Sequence, residues 1–234
     1  EGSEVGPYLR PVSKPGHRHL PESYGSPNGL LPLRQRIAGL LAERSIGAEP
    51  TQVLLTQGAN DALDMIVRHF VEPGEPVLVD SPGYYPLFGK LRLAKARLVG
   101  VRRTEDGPDP DDLAAKAAST GARLFFTQSL AHNPTGCSIT LPVAYRLLRT
   151  ATEHDLRIID SDPFADVLPS TSARLAALDQ LDRVIYVGTF AKTLSASLRS
   201  GYIAANTDTI ARLADLKMIT RANSSGYIEQ IIYD

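Results

Sequence analysis

Lys192 lies in Gly188-Thr-Phe-Ala-Lys-Thr-Leu-Ser-Ala-Ser-Leu-Arg-Ser-Gly-Tyr202, a run of small hydroxyl and apolar residues with Arg199 and Gly201 downstream. The preceding Arg183-Val-Ile-Tyr-Val-Gly188 is a short apolar run closed by glycine and reads as a buried strand. The lysine is therefore expected just past a strand end, beside a cation and partly desolvated. Both conditions lower an amine's pKa, and a neutral amine can attack a carbonyl to form a Schiff base. A surface lysine in a Ser/Thr-rich loop shows the same local pattern, so the rest of the chain has to decide.

Other residues able to do chemistry also follow apolar runs. After 52–56 comes Thr56-Gln-Gly-Ala-Asn60, a glycine turn opening a helix. Gly58 permits the tight turn, and the free amides of Ala59 and Asn60 then face outward at a helix N-terminus, which suits a phosphate. After 76–80 comes Ser81-Pro-Gly-Tyr-Tyr85, placing Tyr84 where it can stack on a planar ligand or pack in an interface. After 123–127 comes Ala131-His-Asn-Pro-Thr-Gly136. The proline restricts Asn133, whose amide can donate to a phenolate oxygen. After 157–160 comes Asp160-Ser-Asp-Pro-Phe164, a source of carboxylates. A carboxylate facing a ring nitrogen keeps it protonated and makes the ring an electron sink.

The elements that must carry these residues alternate. Strands are expected at 52–56, 76–80, 97–101, 123–127, 157–160, 183–188 and about 200–205. Helices are expected over 33–46, 59–70, 85–94, 112–119, 142–154 and about 208–220, with a polar turn at 104–111. Near-continuous apolar strands between helices indicate an α/β fold, a mostly parallel sheet sandwiched by helices. Ligands in such sheets bind beyond the carboxyl ends of the strands, where all the residues above fall. Residues 1–29, broken by Pro7, Pro11, Pro15, Pro21 and Pro27, read as a loop-like N-terminal segment, and 30–234 are expected to form one ligand-binding domain. The final stretch, 227–234, reads as a helix stopped without a C-cap, as in a piece of a longer chain.

Composition narrows the function classes. Of 234 residues, 43% are apolar and 22% charged, as in an ordinary globular domain. Lys+Arg 25 against Asp+Glu 26 leaves a net charge of −1 without a basic block, which argues against nucleic-acid binding by this chain. The single cysteine, Cys137, excludes an internal disulfide and a multi-cysteine metal site, and fits a cytoplasmic location. His17 and His19 read as exposed rather than as a metal pair. There is no long apolar run and no charged n-region before an apolar core, so membrane insertion and secretion are unsupported.

Taken in order, Tyr24-Gly25, Thr56-Gln-Gly-Ala-Asn60, Pro82-Gly-Tyr84, Asn133-Pro-Thr-Gly136, an acidic strand end, and Phe190-Ala-Lys192 with Arg199 and Gly201 carry a family resemblance. From about Tyr24 onward the chain resembles the fold-type I, pyridoxal-phosphate-dependent aminotransferases of class I/II. The resemblance implies the large domain of that fold, with the small C-terminal domain missing, and pyridoxal 5'-phosphate as cofactor. It implies that Lys192 forms the Schiff base and shuttles the proton between the amino acid's α-carbon and the cofactor. Arg199, Thr189 and the Gly58-Ala59-Asn60 turn would hold the phosphate, Tyr84 would stack on the pyridine, and Asn133 would bond its O3′. Tyr24 matches a tyrosine that reaches the cofactor phosphate of the partner subunit, which implies a homodimer with shared sites.

Two positions depart from the family pattern. Where many relatives read Glu-Asp-Asp-Pro-Tyr, this chain reads Asp160-Ser161-Asp162-Pro163-Phe164, so the pyridine-nitrogen position falls on Ser161. Strand alternation would turn Asp160 and Asp162 away from the side Ser161 takes. Either a one-residue adjustment brings Asp162 or Asp160 to the ring, or a serine hydroxyl stands in for the carboxylate and the electron sink weakens. Phe164 lacks the tyrosine hydroxyl that would help Asn133 tune O3′. Gly29-Leu-Leu-Pro-Leu-Arg34 and Leu178-Asp-Gln-Leu-Asp-Arg-Val-Ile-Tyr-Val-Gly188 also resemble the aminotransferase-like domain of GntR/MocR-type regulators. In those proteins DNA is bound by a winged helix-turn-helix, a module not expected within these residues. Three readings follow. The first is a ping-pong aminotransferase moving an amino group from an amino acid to a 2-oxo acid. The second is a cofactor-binding domain that senses an amine effector with little turnover, and the third is an α/β domain for another phosphate ligand.

Overall fold

Alternate residues of a strand face opposite ways, so a run buried along its whole length needs cover on both sides. The computed structural model, which describes residues 24–168 and 173–234, meets that need with an eight-stranded sheet. The strands are β1 (Val53–Thr56), β2 (Pro76–Ser81), β3 (Arg97–Thr104), β4 (Gly107–Pro108), β5 (Leu124–Thr127), β6 (Arg157–Asp162), β7 (Val184–Thr189) and β8 (Gly201–Ala204). The helices are α1 (Leu31–Glu43), α2 (Ala59–Phe70), α3 (Tyr85–Leu93), α4 (Pro110–Thr120), α5 (Leu141–Glu153), α6 (Leu175–Asp179), α7 (Thr207–Arg221) and α8 (Gly226–Tyr233).

The order across the sheet is β1-β8-β7-β6-β5-β2-β3-β4. Neighbours from β7 through β6, β5 and β2 to β3 pair in parallel, while β8 runs antiparallel to both β7 and β1. Six strands therefore point one way, and their carboxyl ends share an edge with the start of β8. The chain leaves β2 for β3 on one side and β5 for β6 on the other. The crevice between the ends of β2 and β5 is thus the topological switch point, the expected ligand position in an open α/β sheet.

Strand alternation sorts the core into two layers. Leu55, Leu78, Phe125, Ile158 and Tyr186 face one layer with residues of α1, α4, α5 and α6. Leu54, Val79, Phe126, Ile159 and Val187 face the other with residues of α2, α3 and α7. Each such side chain contributes about 1.5–3 kcal/mol by leaving water, so the sheet is fixed in register from both sides.

Two boundaries differ from the sequence expectation for local reasons. Helix α1 ends before Gly47, because Ser45 adopts φ 62 and a Schellman closure forms: Ile46 N donates to Leu41 O and Ser45 N to Ala42 O, both at 2.9 Å. The stretch 104–111 is more than a polar turn. Thr104 and Gly107 pair to close the β3–β4 hairpin, and the Asp109 carboxylate then caps α4 by accepting from Asp111 N and Asp112 N.

Candidate active site

The phosphate-type cradle forms where β1 turns into α2. Gly58 takes φ 86 as the N-cap, and the amides of Asp61 and Ala62 both donate back to Gly58 O at 3.1 Å. The amides of Ala59 and Asn60 are left without intrahelical partners at the positive end of the helix dipole. Arg199 lies over this turn, since a Cβ on Gly58 would stand 3.5 Å from its Nη2. Arg199 itself sits at φ 48, just after the 3-10 turn Ala196–Leu198. Gly201 explains the close approach: a Cβ there would lie 2.7 Å from Gly188 O and 2.9 Å from Gly58 Cα. Only glycine lets β8 begin tucked between the end of β7 and the β1–α2 turn.

The lysine loop leaves from Thr189 at the end of β7 and returns at Ser200. Thr189 Oγ1 donates to Ser200 O at 3.1 Å and accepts from Ala191 N at 3.2 Å, and Phe190 N donates to Ser200 O at 3.1 Å. Thr189 thus clamps the two ends of the loop together. Lys192 is exposed on this loop and has no hydrogen-bond or ion-pair partner among the described residues. The expected desolvation of its amine is not met, because the described residues leave the outer side of the loop uncovered.

Farther down the loop, Thr193 Oγ1 donates to Asp166 Oδ2 at 3.3 Å, and Asp166 Oδ1 forms a short ion pair with Arg44. Arg44 also donates to the Tyr202 hydroxyl at 3.2 Å. No sequence pattern singles out Arg44, Asp166 or Tyr202, whose partners lie about 120 to 160 positions apart.

Tyr84 is half-buried as the N-cap of α3, and its phenol is held above the ordinary value, chiefly by burial, with Arg199 pulling the other way. It lines a cleft together with Asp80, Thr127, Gln128, His132 and Ser161. Asn133 stands at the same edge with its side chain exposed, and its backbone N donates to Gln128 Oε1 at 2.8 Å. Tyr24 is 85% exposed in the segment before α1.

The end of β6 keeps strict alternation, so no one-residue adjustment occurs there. Ser161 Cα pairs with Val187 Cα, in register with the rest of the strand, and Ser161 lines the cleft on the side of Tyr84. Asp160 points to the opposite layer, accepting from Ser129 N at 2.9 Å and Ser129 Oγ at 2.7 Å. Burial pushes its carboxyl up to about 6 against the pull of those bonds. Asp162 also points away, accepting from Arg174 Nε and the Tyr186 hydroxyl, each at 2.9 Å. The placement of Asp162 among the ring-facing candidates is therefore corrected: its carboxylate is engaged in the core beneath the sheet, and Ser161 alone of the three faces the cleft.

An open, mostly parallel sheet with a helix N-terminus, an arginine, a half-buried tyrosine and a lysine loop along one edge defines an α/β protein with its polar groups gathered at the carboxyl ends of its strands. The match to known proteins is more specific. The model of the family described as aminotransferase class I and II matches residues 18–231, and the chain belongs to that family. It is 33% identical over 200 residues to the 2-aminoadipate transaminase of Thermus thermophilus, covering 83% of this chain and 49% of that one. It is 28% identical over 212 residues to the uncharacterized HTH-type transcriptional regulator YdfD of Bacillus subtilis, covering 89% of this chain and 44% of that one. Among solved structures it superposes on LysN, the α-aminoadipate aminotransferase of Thermus thermophilus in complex with N-(5'-phosphopyridoxyl)-L-leucine. That match has a TM-score of 0.82 and 29% identity, covering 90% of this chain and 54% of that one. The chain spans about half the length of these relatives.

Proposed function

We propose that this chain is the cofactor-holding part of a pyridoxal-phosphate-dependent transaminase that moves amino groups between amino acids and 2-oxo acids. One observation carries the reading: the unpaired amides of Ala59 and Asn60, with the Arg199 guanidinium over them, share a sheet edge with Lys192. The donor set fits the cofactor. Amides and a guanidinium suit a phosphate dianion, Tyr84 offers a ring face, Asn133 offers an amide donor, and Lys192 offers an accessible amine. When bound, the cofactor supplies an aldehyde for condensation with amines and a ring that draws electrons from the amino acid's Cα.

Each residue then has a task. Arg199 and the α2 amides neutralise and orient the phosphate. The Lys192 amine would hold the cofactor's aldehyde and, as a free amine, would be the base for the amino acid's Cα proton. Tyr84 and Asn133 fix the plane of the ring. Ser161 presents a hydroxyl where a carboxylate would hold a ring nitrogen protonated, so this site tunes the ring less strongly than a carboxylate would. An ordinary transaminase would share its sites across a homodimer, and the exposed ring of Tyr24 supports that assembly. A cytoplasmic location is supported by the lone cysteine, and no helix among the described residues is long and apolar enough to cross a membrane.

A second reading is favoured by Ser161 together with the likeness to an HTH-type regulator. In it the same site holds the cofactor and senses an amine with little turnover, and DNA contact would belong to a separate winged-helix module.

Titration with pyridoxal phosphate, followed by visible absorbance, tests the common part. We expect a visible band that Lys192→Ala removes, and a borohydride-stable attachment located by peptide mass at Lys192. A band that persists unchanged in the variant would rule out this assignment. Rapid mixing with amino acids then separates the two readings: a transaminase loses the band to the amine form of the cofactor, while a sensor stops earlier.

A further inference from the structure

The switch-point crevice contains a buried charged cluster that the assignment above does not use. Asp80, at the end of β2, is 3% exposed, and its Oδ2 accepts from Arg103 Nη1 at 2.7 Å and Thr127 Oγ1 at 2.8 Å. His132, 1% exposed, brings Nε2 to 3.4 Å from the same oxygen, while its Nδ1 lies 2.9 Å from Thr135 Oγ1. Arg103 also donates to Thr127 Oγ1 at 3.2 Å and to Gln128 O at 2.9 Å. Asp80 Oδ1 and Arg103 Nε have no partner among the described residues.

The placement of these groups matters more than their number. Asp80 stands at the root of the turn that carries Tyr84. His132 immediately precedes Asn133 and closes that turn through Gly136 N to His132 O at 2.6 Å and His132 N to Cys137 O at 3.0 Å. The His132 ring thus sits between Asp80, approached by Nε2 at 3.4 Å, and the Thr135 hydroxyl, which is hydrogen-bonded to Nδ1. Thr135 Oγ1 can in turn accept from Cys137 N at 3.4 Å. From the end of β5, a second side-chain tie reaches the Asn133 turn, Gln128 Oε1 accepting from Asn133 N.

We infer that His132 is a positioning residue: held between Asp80 and Thr135, it locks the Asn133 turn to the end of β2, so that Tyr84 and the Asn133 turn keep one fixed separation. A buried, nearly satisfied polar network resists deformation because each broken bond leaves a desolvated group unpaired. The Asn133 side chain is itself exposed and cannot fix its own direction, so its aim is set from behind by His132. The consequence for cofactor geometry rests on the proposed function, whereas the lock itself does not.

The test therefore has two arms on the same proteins: parent, His132→Phe, His132→Gln and Thr135→Val. Without cofactor, amide hydrogen exchange is followed at Asn133 and Gly136, with the β7 amides as the measure of intact fold. Loss of one hydrogen bond should speed exchange at Asn133 and Gly136 by roughly tenfold in His132→Phe and Thr135→Val. His132→Gln keeps a polar side chain whose Oε1 can accept from the Thr135 hydroxyl and should stay within about threefold of the parent. Thr135 is exposed, so its variant keeps the test decisive even where His132→Phe loses β7 protection. Unchanged exchange at both turn amides in Thr135→Val, with β7 protected, would overturn the inference.

With pyridoxal phosphate, the same two weakening variants should bind roughly tenfold less tightly, with a displaced visible band, and His132→Gln should restore both. Equal affinity and an identical band in all four proteins would overturn the functional half of the inference. If the parent shows no band but the turn amides respond as expected, the positioning role stands and the cofactor assignment falls.

Discussion

At the scale of single residues, two positions decide how this site works. Gly201 is needed because any Cβ would strike Gly188 O and the Gly58 backbone. Gly201→Ala should therefore push the β1–α2 turn away from β8 and destabilise the fold by about 1–3 kcal/mol, read as a lower urea midpoint with unchanged slope. Ser161 is the other. Its side chain faces the cleft and its hydroxyl has no partner among the described residues, so an aspartate placed there would present a carboxylate to the cleft. Ser161→Asp is expected to leave cofactor affinity within a few-fold and to accelerate the amino-acid half-reaction, by roughly tenfold or more if a protonated ring nitrogen is limiting. Rapid mixing with a reactive amino acid measures it, and an unchanged rate would show that a carboxylate at this position does not govern the half-reaction.

At the scale of elements, the lysine loop depends on its supports more than on its own sequence. Thr189 joins its two ends, and the Arg44–Asp166–Thr193 chain ties its middle to the end of α1. Beneath it, Phe190 and Tyr202 rings lie 5.8 Å apart. Asp166→Ala removes the acceptor for Thr193 and leaves the mostly buried Arg44 guanidinium without its ion-pair partner. Burial opposes the charge on Arg44, and Tyr202, Tyr186 and Asp166 together hold it well above its ordinary value, so the loss of Asp166 is felt directly. We expect faster amide exchange across 190–199 and about tenfold weaker pyridoxal-phosphate binding, while the β5–β6 amides stay protected. Asp166→Asn should recover part of the loss, since it can still accept from Thr193.

At the scale of the whole molecule, α7 and α8 are tied to the sheet and to α1 by buried charges. Lys217, 1% exposed, donates to Leu55 O at 2.8 Å, and Glu229 accepts from Leu30 N at 2.8 Å. Burial lowers the Lys217 amine to about 8, with Glu229 and Asp61 opposing the shift. Its folded pKa lies below the unfolded value of 10.5. Between these values the unfolded chain binds the proton and the folded chain does not, so stability rises as pH climbs from about 8 toward 10. Below about 8 both states are protonated and the contribution is constant. Lys217→Met should flatten this rise, measured as urea midpoints at pH 8 and 9.5.

The sequence by itself determined the α/β layering, because each strand is apolar on both faces and only a sheet covered on both sides can bury it. It also marked the glycine turn at Gly58, Tyr84, the Asn133 turn and Lys192, since each is a local signal that follows a strand end. Tertiary structure alone decided the rest. Which of Asp160, Ser161 and Asp162 faces the cleft depended on strand register, and register is set by what packs on each side. The Asp80–Arg103–His132 cluster and the Arg44–Asp166–Thr193 chain left no trace in the sequence, because their partners lie on separate elements and carry no spacing rule. Even the exposure of Lys192 was a tertiary matter: a residue's neighbours in sequence fix its loop, but only the surrounding elements fix how much water reaches it.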